Sequence, residues 1–179
     1  MASPTWALLL TAPGQPKADE VFTVAAALTA RGATVAGFAQ ARAPEGGCLY
    51  ELHCLGRPEA SVSMGRRGRV PGPGEELFCN CVFRPDAFAT ARGWLARDLP
   101  GRDVAIIDEL SKLEATCGGH VDAAALALAA APVSLLSIRR DLLATFMERF
   151  ALGEPCAVLD RGAPIDDFVA AVVAAAAAR

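Results

Sequence analysis

The chain has 179 residues, 53% of them hydrophobic and 21% charged, with a formal net charge of -3. That length suits one domain with a full core, and so apolar a chain is not a disordered one. An acidic balance without a basic face argues against nucleic acid, and no apolar run is long enough to cross a bilayer.

The run from Trp6 to Thr11 is continuously apolar and stops at a Pro/Gly segment. Such a run predicts a strand buried on both faces of a parallel sheet. It is too short for a signal-peptide core and no basic segment precedes it, which predicts a cytoplasmic chain with its six cysteines reduced. From Asp19 the apolar residues Val21, Val24, Ala25 and Leu28 recur at helical spacing, and Gly32 closes that helix. A strand from Thr34 to Phe38 follows. These elements make one βαβ unit.

Residues 41–84 read differently. Short strands are predicted at Cys48 to Leu55, Ala60 to Met64 and Phe78 to Phe83, with a Gly/Pro-rich loop or wide turn from Gly65 to Gly74. That loop carries Arg66, Arg67 and Arg69. The stretch predicts a small antiparallel β insertion against the main sheet. From Pro85 the alternation of helix and strand returns. Helices are predicted at 85–97, 121–131 and 142–150 and from Ile165 onward, with strands at 103–108, 133–138 and 157–159. The fold class is α/β: a three-layer sandwich with a mostly parallel sheet, as one domain over residues 1–179.

In an open parallel sheet, ligands bind beyond the carboxyl ends of the strands. Two such ends carry chemistry. The first is the loop from Thr11 to Asp19. A phosphate-binding loop reads G-x-x-x-x-G-K-[ST], with backbone N–H groups around the phosphates, a lysine on the outer ones and a hydroxyl on Mg2+. Lys17 stands at the lysine position and Gly14 three residues before it. Gly14, Gln15, Lys17 and Ala18 supply the candidate phosphate contacts. Thr11, Pro16 and Ala18 replace the first glycine, the second glycine and the hydroxyl. Pro16 removes a donor, and Asp19 adds charge beside a triphosphate or favours the helix N-terminus. An ordinary β–α turn with one solvated lysine is the plainer reading of the same residues.

The second end is Asp108-Glu109, closing an apolar strand. An acid there can hold Mg2+, and its neighbour can orient an attacking water. Asp108 fits the metal role and Glu109 the water role; both can also be turn residues. Lys112 and Glu114 follow, lining the same cleft or forming a surface ion pair worth little.

The segment from Ile107 to Glu114 resembles the Asp-Glu-Ile-Gly-Lys-Met-Glu signature of the small nucleoside-triphosphatases related to the cancer-related nucleoside triphosphatase. Gly32 to Phe38 is similar to that family's Gly-x-x-Val-x-Gly-Phe strand, and the match runs in order through most of the chain. The resemblance implies a P-loop α/β fold, Mg2+ as cofactor, and slow hydrolysis of a nucleoside triphosphate such as ATP or GTP. Ser111 replaces the signature's glycine. The chain is also similar to uncharacterised bacterial P-loop-like proteins with a degenerate phosphate loop. That likeness implies an alternative: an inactive scaffold binding a protein partner, with the arginine loop as its contact surface.

Cys48, His53, Cys54, Cys79 and Cys81 fall in the insertion. They suit a metal or Fe–S site, or buried thiols, which the lack of Cys-x2-Cys spacing favours. Residues 79 and 81 would share one strand face. Cys117 and His120 make a conceivable catalytic pair, without any third orienting group. Cys156 is read as a core residue at the start of a strand.

Overall fold

The computed structural model describes residues 3–12, 20–42, 50–116, 118–160 and 162–179. Among them are strands β1 (Trp6–Thr11), β2 (Val35–Arg42), β3 (Tyr50–Cys54), β4 (Ser61–Arg67), β5 (Glu76–Phe78), β6 (Cys81–Phe83), β7 (Val104–Leu110), β8 (Val133–Arg139) and β9 (Ala157–Asp160). The helices are α1 (Glu20–Ala30), α2 (Pro85–Asp98), α3 (Lys112–Ala115), α4 (Val121–Ala130), α5 (Leu143–Arg149) and α6 (Asp166–Ala177).

All nine strands join one sheet in the order β5-β6-β4-β3-β2-β7-β8-β1-β9. The five strands β2, β7, β8, β1 and β9 run parallel, and those from β3 to β6 pair antiparallel. The inner parallel strands β2, β7, β8 and β1 are buried on both faces because helices cover both, which explains their apolar runs. Leu8, Ala105, Ile107 and Leu136 pack with α2, α4 and α5. Leu9, Val104, Ile106 and Leu135 pack with α1 and α6. Trp6 is fully buried, and its indole N–H donates to the Gly153 carbonyl at 3.0 Å. In α2, Pro85 opens the first turn, and Ala91, Trp94 and Leu95 face the core.

Gly37 has a structural reason. Its φ is +115°, and a Cβ there would stand 2.0 Å from the Ile106 carbonyl oxygen. A side chain would force β2 away from β7, the strand that carries the acids.

Three readings of the middle segment change. The antiparallel strands do not pack against the main sheet; they extend it edgewise through the β2–β3 ladder. The region from Gly65 onward is not all loop, because β4 continues through Arg67 and Arg66 forms an ion pair with Glu75 at 2.7 Å. The single strand expected at Phe78 to Phe83 is two strands of a hairpin. Cys79 starts its two-residue turn with φ 56°, so Cys79 and Cys81 do not share a strand face. A local run of apolar residues conceals a tight turn when no glycine marks it. No helix among the described residues is long and apolar enough to cross a membrane.

Candidate functional site

The acidic strand end is built on a β-bulge. Ile107 pairs with Leu136 and Leu110 with Ile138, so Asp108 and Glu109 together oppose Ser137 alone. Glu109 takes the extra position with φ 67°, in the left-handed region. Its N–H donates to Ser137 Oγ at 3.2 Å. The β2–β7 ladder ends at Phe38 and Ile107, and beyond it the Gln40 N–H donates to Asp108 Oδ2 at 2.9 Å. The carboxylate thus accepts a backbone donor where the strand bends away. Asp108 is only 7% exposed. Alternation along β7 assigns Val104, Ile106 and then Asp108 to the α1 layer. Glu109 borders a cavity at the same strand end, lined also by Phe88 of α2 and Arg139 of β8.

Glu114 lines the cleft with Glu109 and Lys112, as one of its two readings expected, and is not a surface ion-pair member. It is 2% exposed. Its Oε2 accepts from the Ser111 N–H at 3.0 Å, and its Oε1 accepts from the His120 N–H at 3.2 Å. Burial pushes this carboxyl above the ordinary glutamate range. Its place depends on Gly119, where φ is +60° and a Cβ would lie 2.0 Å from Glu114 Oε1. His120 sits between two rings, tilted against Phe38 at 4.5 Å and edge-on to Phe88 at 4.8 Å by centroid. It is a packed ring of the core, which fits poorly with the role of a mobile general base.

The cavity beside Glu109 has a volume of about 240 Å³. Tyr50, Met64, Phe83 and Phe88 form an apolar wall, and Lys112 and Arg139 lie on the charged side. Arg139 is held by Asp141, whose hydrogen bonds raise the guanidinium pKa and lower that of the carboxylate. The remaining candidates, Gly14, Gln15, Lys17, Ala18 and Asp19, lie outside the described residues, as do Cys48 and Cys117. What is described on either side of the lysine loop is its frame: β1 ends at Thr11 and α1 begins at Glu20. Strand β8 separates β1 from β7, so Asp108 stands two strands from the loop's point of departure.

The cysteines separate. Cys54 is buried, its thiol 3.5 Å from Asp98 Oδ2 and pushed up in pKa by burial. Cys79 and Cys156 are exposed, so Cys156 is not the core residue expected from its place before β9. Among the described residues, no three His, Cys, Asp or Glu side chains gather as a metal site.

The family model described as "protein of unknown function (DUF2478)" matches residues 7–166. The chain belongs to this family. No curated protein matches it. Two solved structures are similar in fold across almost their whole length. One is described as a human cancer-related nucleoside triphosphatase, with 18% identity, TM-score 0.62, and 94% of this chain and 93% of that one covered. The other is THEP1 from the hyperthermophile Aquifex aeolicus, with 16% identity, TM-score 0.58, and 92% and 94% covered. The DUF2478 chain thus has a P-loop NTPase-like α/β fold, as its opening strand and acidic strand end suggested.

Sequence reasoning singled out Asp108 and Glu109 but missed Gln40, Tyr50, Phe88 and Arg139, which border the cavity. Only Gln40 left a trace in the sequence: a lone amide interrupting the apolar run from Val35 to Ala41.

Proposed function

We propose that this chain binds a nucleoside triphosphate with Mg2+ over the carboxyl ends of β1, β8 and β7, and hydrolyses it slowly. The observation that carries this reading is Asp108: a buried carboxylate, oriented by the Gln40 N–H, on the α1 layer two strands from the lysine loop. Hard carboxylate oxygens suit Mg2+, which takes one or two of them and fills its shell with water and phosphate. When bound, Mg2+ neutralises charge on the outer phosphates. Asp108 holds it. Lys17 pairs with those phosphates, and the backbone of Gly14, Gln15, Lys17 and Ala18 surrounds them, with Asp19 at the edge of the loop. Glu109, fixed through its N–H on Ser137, accepts the proton of the attacking water. The loss of the loop hydroxyl at Ala18 and of a donor at Pro16 accounts for the slowness. ATP and GTP are the first nucleotides to test.

The same two replacements favour a second reading, an inactive relative that serves a protein partner. Thermal unfolding with Mg-ATP or Mg-GTP separates the two. Nucleotide at 100 times its dissociation constant adds about 2.7 kcal/mol of stability. The expected result is a clear rise in Tm that Lys17→Ala and Asp108→Asn both remove, with phosphate release in the unmodified protein. A Tm indifferent to every Mg-nucleotide would leave the inactive reading standing.

A further inference from the structure

We infer that the cavity beside Glu109 is a second binding site, for a small planar aromatic molecule carrying a hydrogen-bond donor at one end and an anionic group at the other. The inference does not rest on the nucleotide reading: it is argued from Gln40, the aromatic wall and Lys112, none of which that reading uses.

Three observations point to this ligand. The first is an unpartnered amide. Gln40 is 5% exposed, and its Oε1 has no hydrogen-bond partner among the described residues. A buried polar atom left so is destabilising, and an apolar residue in β2 would avoid that cost. Gln40 is part of the cavity wall, and the last torsion of a glutamine is broad, so its oxygen can turn to a ligand donor. The second is the apolar wall. Tyr50, Met64, Phe83 and Phe88 present ring faces and a thioether, the surfaces against which a flat ring packs best. Phe88 is held edge-on to His120, and His120 is held by Glu114, so this wall is fixed before any ligand arrives. The third is charge. Lys112 borders the cavity and forms no ion pair among the described residues, while Arg139 stands beside it already engaged by Asp141. Of the two acids bordering the cavity, Glu114 is turned onto backbone N–H groups. A donor at the amide end, a ring along the aromatic wall and an anion at Lys112 together match a hydroxylated or amino-substituted aromatic acid.

The probe is 4-hydroxybenzoate, with phenol and benzoate each lacking one end. The chain has three methionines, and methyl-labelled methionine makes Met64 a reporter inside the cavity and Met147 on α5 a control outside it. The expected result is a saturable shift of the Met64 methyl with 4-hydroxybenzoate, no shift at Met147, and about tenfold weaker binding of both truncated probes, as loss of one good polar contact implies. Lys112→Ala should weaken 4-hydroxybenzoate and benzoate but not phenol. Gln40→Met should erase the preference for 4-hydroxybenzoate over benzoate. Phe88→Trp should abolish the Met64 shift by filling the space, and Met64→Trp, read by saturation transfer to the probe, should abolish binding as well. A still Met64 methyl at saturating probe would overturn the inference, and so would equal binding of all three probes or binding that survives both cavity-filling variants. The titration is run without nucleotide, so failure of Mg-ATP to bind bears on the proposed hydrolysis alone.

Discussion

Glu109 occupies a backbone conformation that a glutamate avoids, at φ 67°. Left-handed backbone at a non-glycine residue costs on the order of 1–3 kcal/mol, and such costs gather at functional sites. Two substitutions separate backbone from carboxylate. Glu109→Gln and Glu109→Gly both remove the charge, but only glycine relieves the strain. The glycine variant should be more stable than the glutamine one by about 1 kcal/mol in urea unfolding, with both lacking turnover. Equal stabilities would mean that the bulge holds Glu109 without strain. Gly119 is the counterpart. Its missing side chain is what lets Glu114 reach the His120 N–H, so the glycine and the buried acid form one device.

Among the elements, α5 shows how tertiary context overrides a local preference. Its end closes as a Schellman motif: the Ala151 N–H donates to the Glu148 carbonyl at 3.2 Å and the Leu152 N–H to the Met147 carbonyl at 2.9 Å. That motif needs a left-handed residue after the cap, and Ala151 supplies it at φ 49°. Ala151 is exposed and distant from the acids in sequence. Ala151→Gly should therefore raise the unfolding free energy by about 1 kcal/mol without affecting any ligand. A loss of stability would show that the unfolded-state entropy of glycine outweighs the relief. The β5–β6 hairpin repeats the pattern, with Cys79 where a turn of this kind prefers glycine. Neither position carries the glycine that announces such a turn; the hairpin turn was not expected, whereas the helix end expected at Phe150 coincides with the cap of α5.

For the whole molecule, the acid groups pull stability in opposite directions with pH. Asp98 is held below its ordinary range first by the Arg97 guanidinium, and Asp103 by the Thr34 hydroxyl and N–H. Their contributions are present above the ordinary carboxylate pKa of 3.8 and fade as pH falls through the folded value. Glu114 has the reverse sign. Burial raises its pKa above 4.5, so its contribution is complete below that value and is lost as pH rises through the folded one. The destabilisation caused by Glu114→Gln should therefore shrink as pH is raised from about 4 to about 8, read from denaturant midpoints. A constant difference would place the folded pKa of Glu114 at its ordinary value.

The sequence by itself determined the alternation of strands and helices, the doubly buried strands and the acidic strand end, because apolar periodicity and punctuation by Gly and Pro are local signals. It predicted α2 to within one residue at its end, since Pro85 marks the start and Ala91 and Leu95 the face. It also placed Asp108 and Glu109 at the end of β7. Only the tertiary structure decided which way those acids face, since the bulge exists only against Ser137 of another strand. The same holds for Glu114, whose burial comes from Gly119 and His120 closing over it. The cavity itself draws Gln40, Tyr50, Phe88, Lys112 and Arg139 from five separate elements. No spacing in the chain links those residues; the sheet order does, by setting β2 and its antiparallel extension beside β7 and β8.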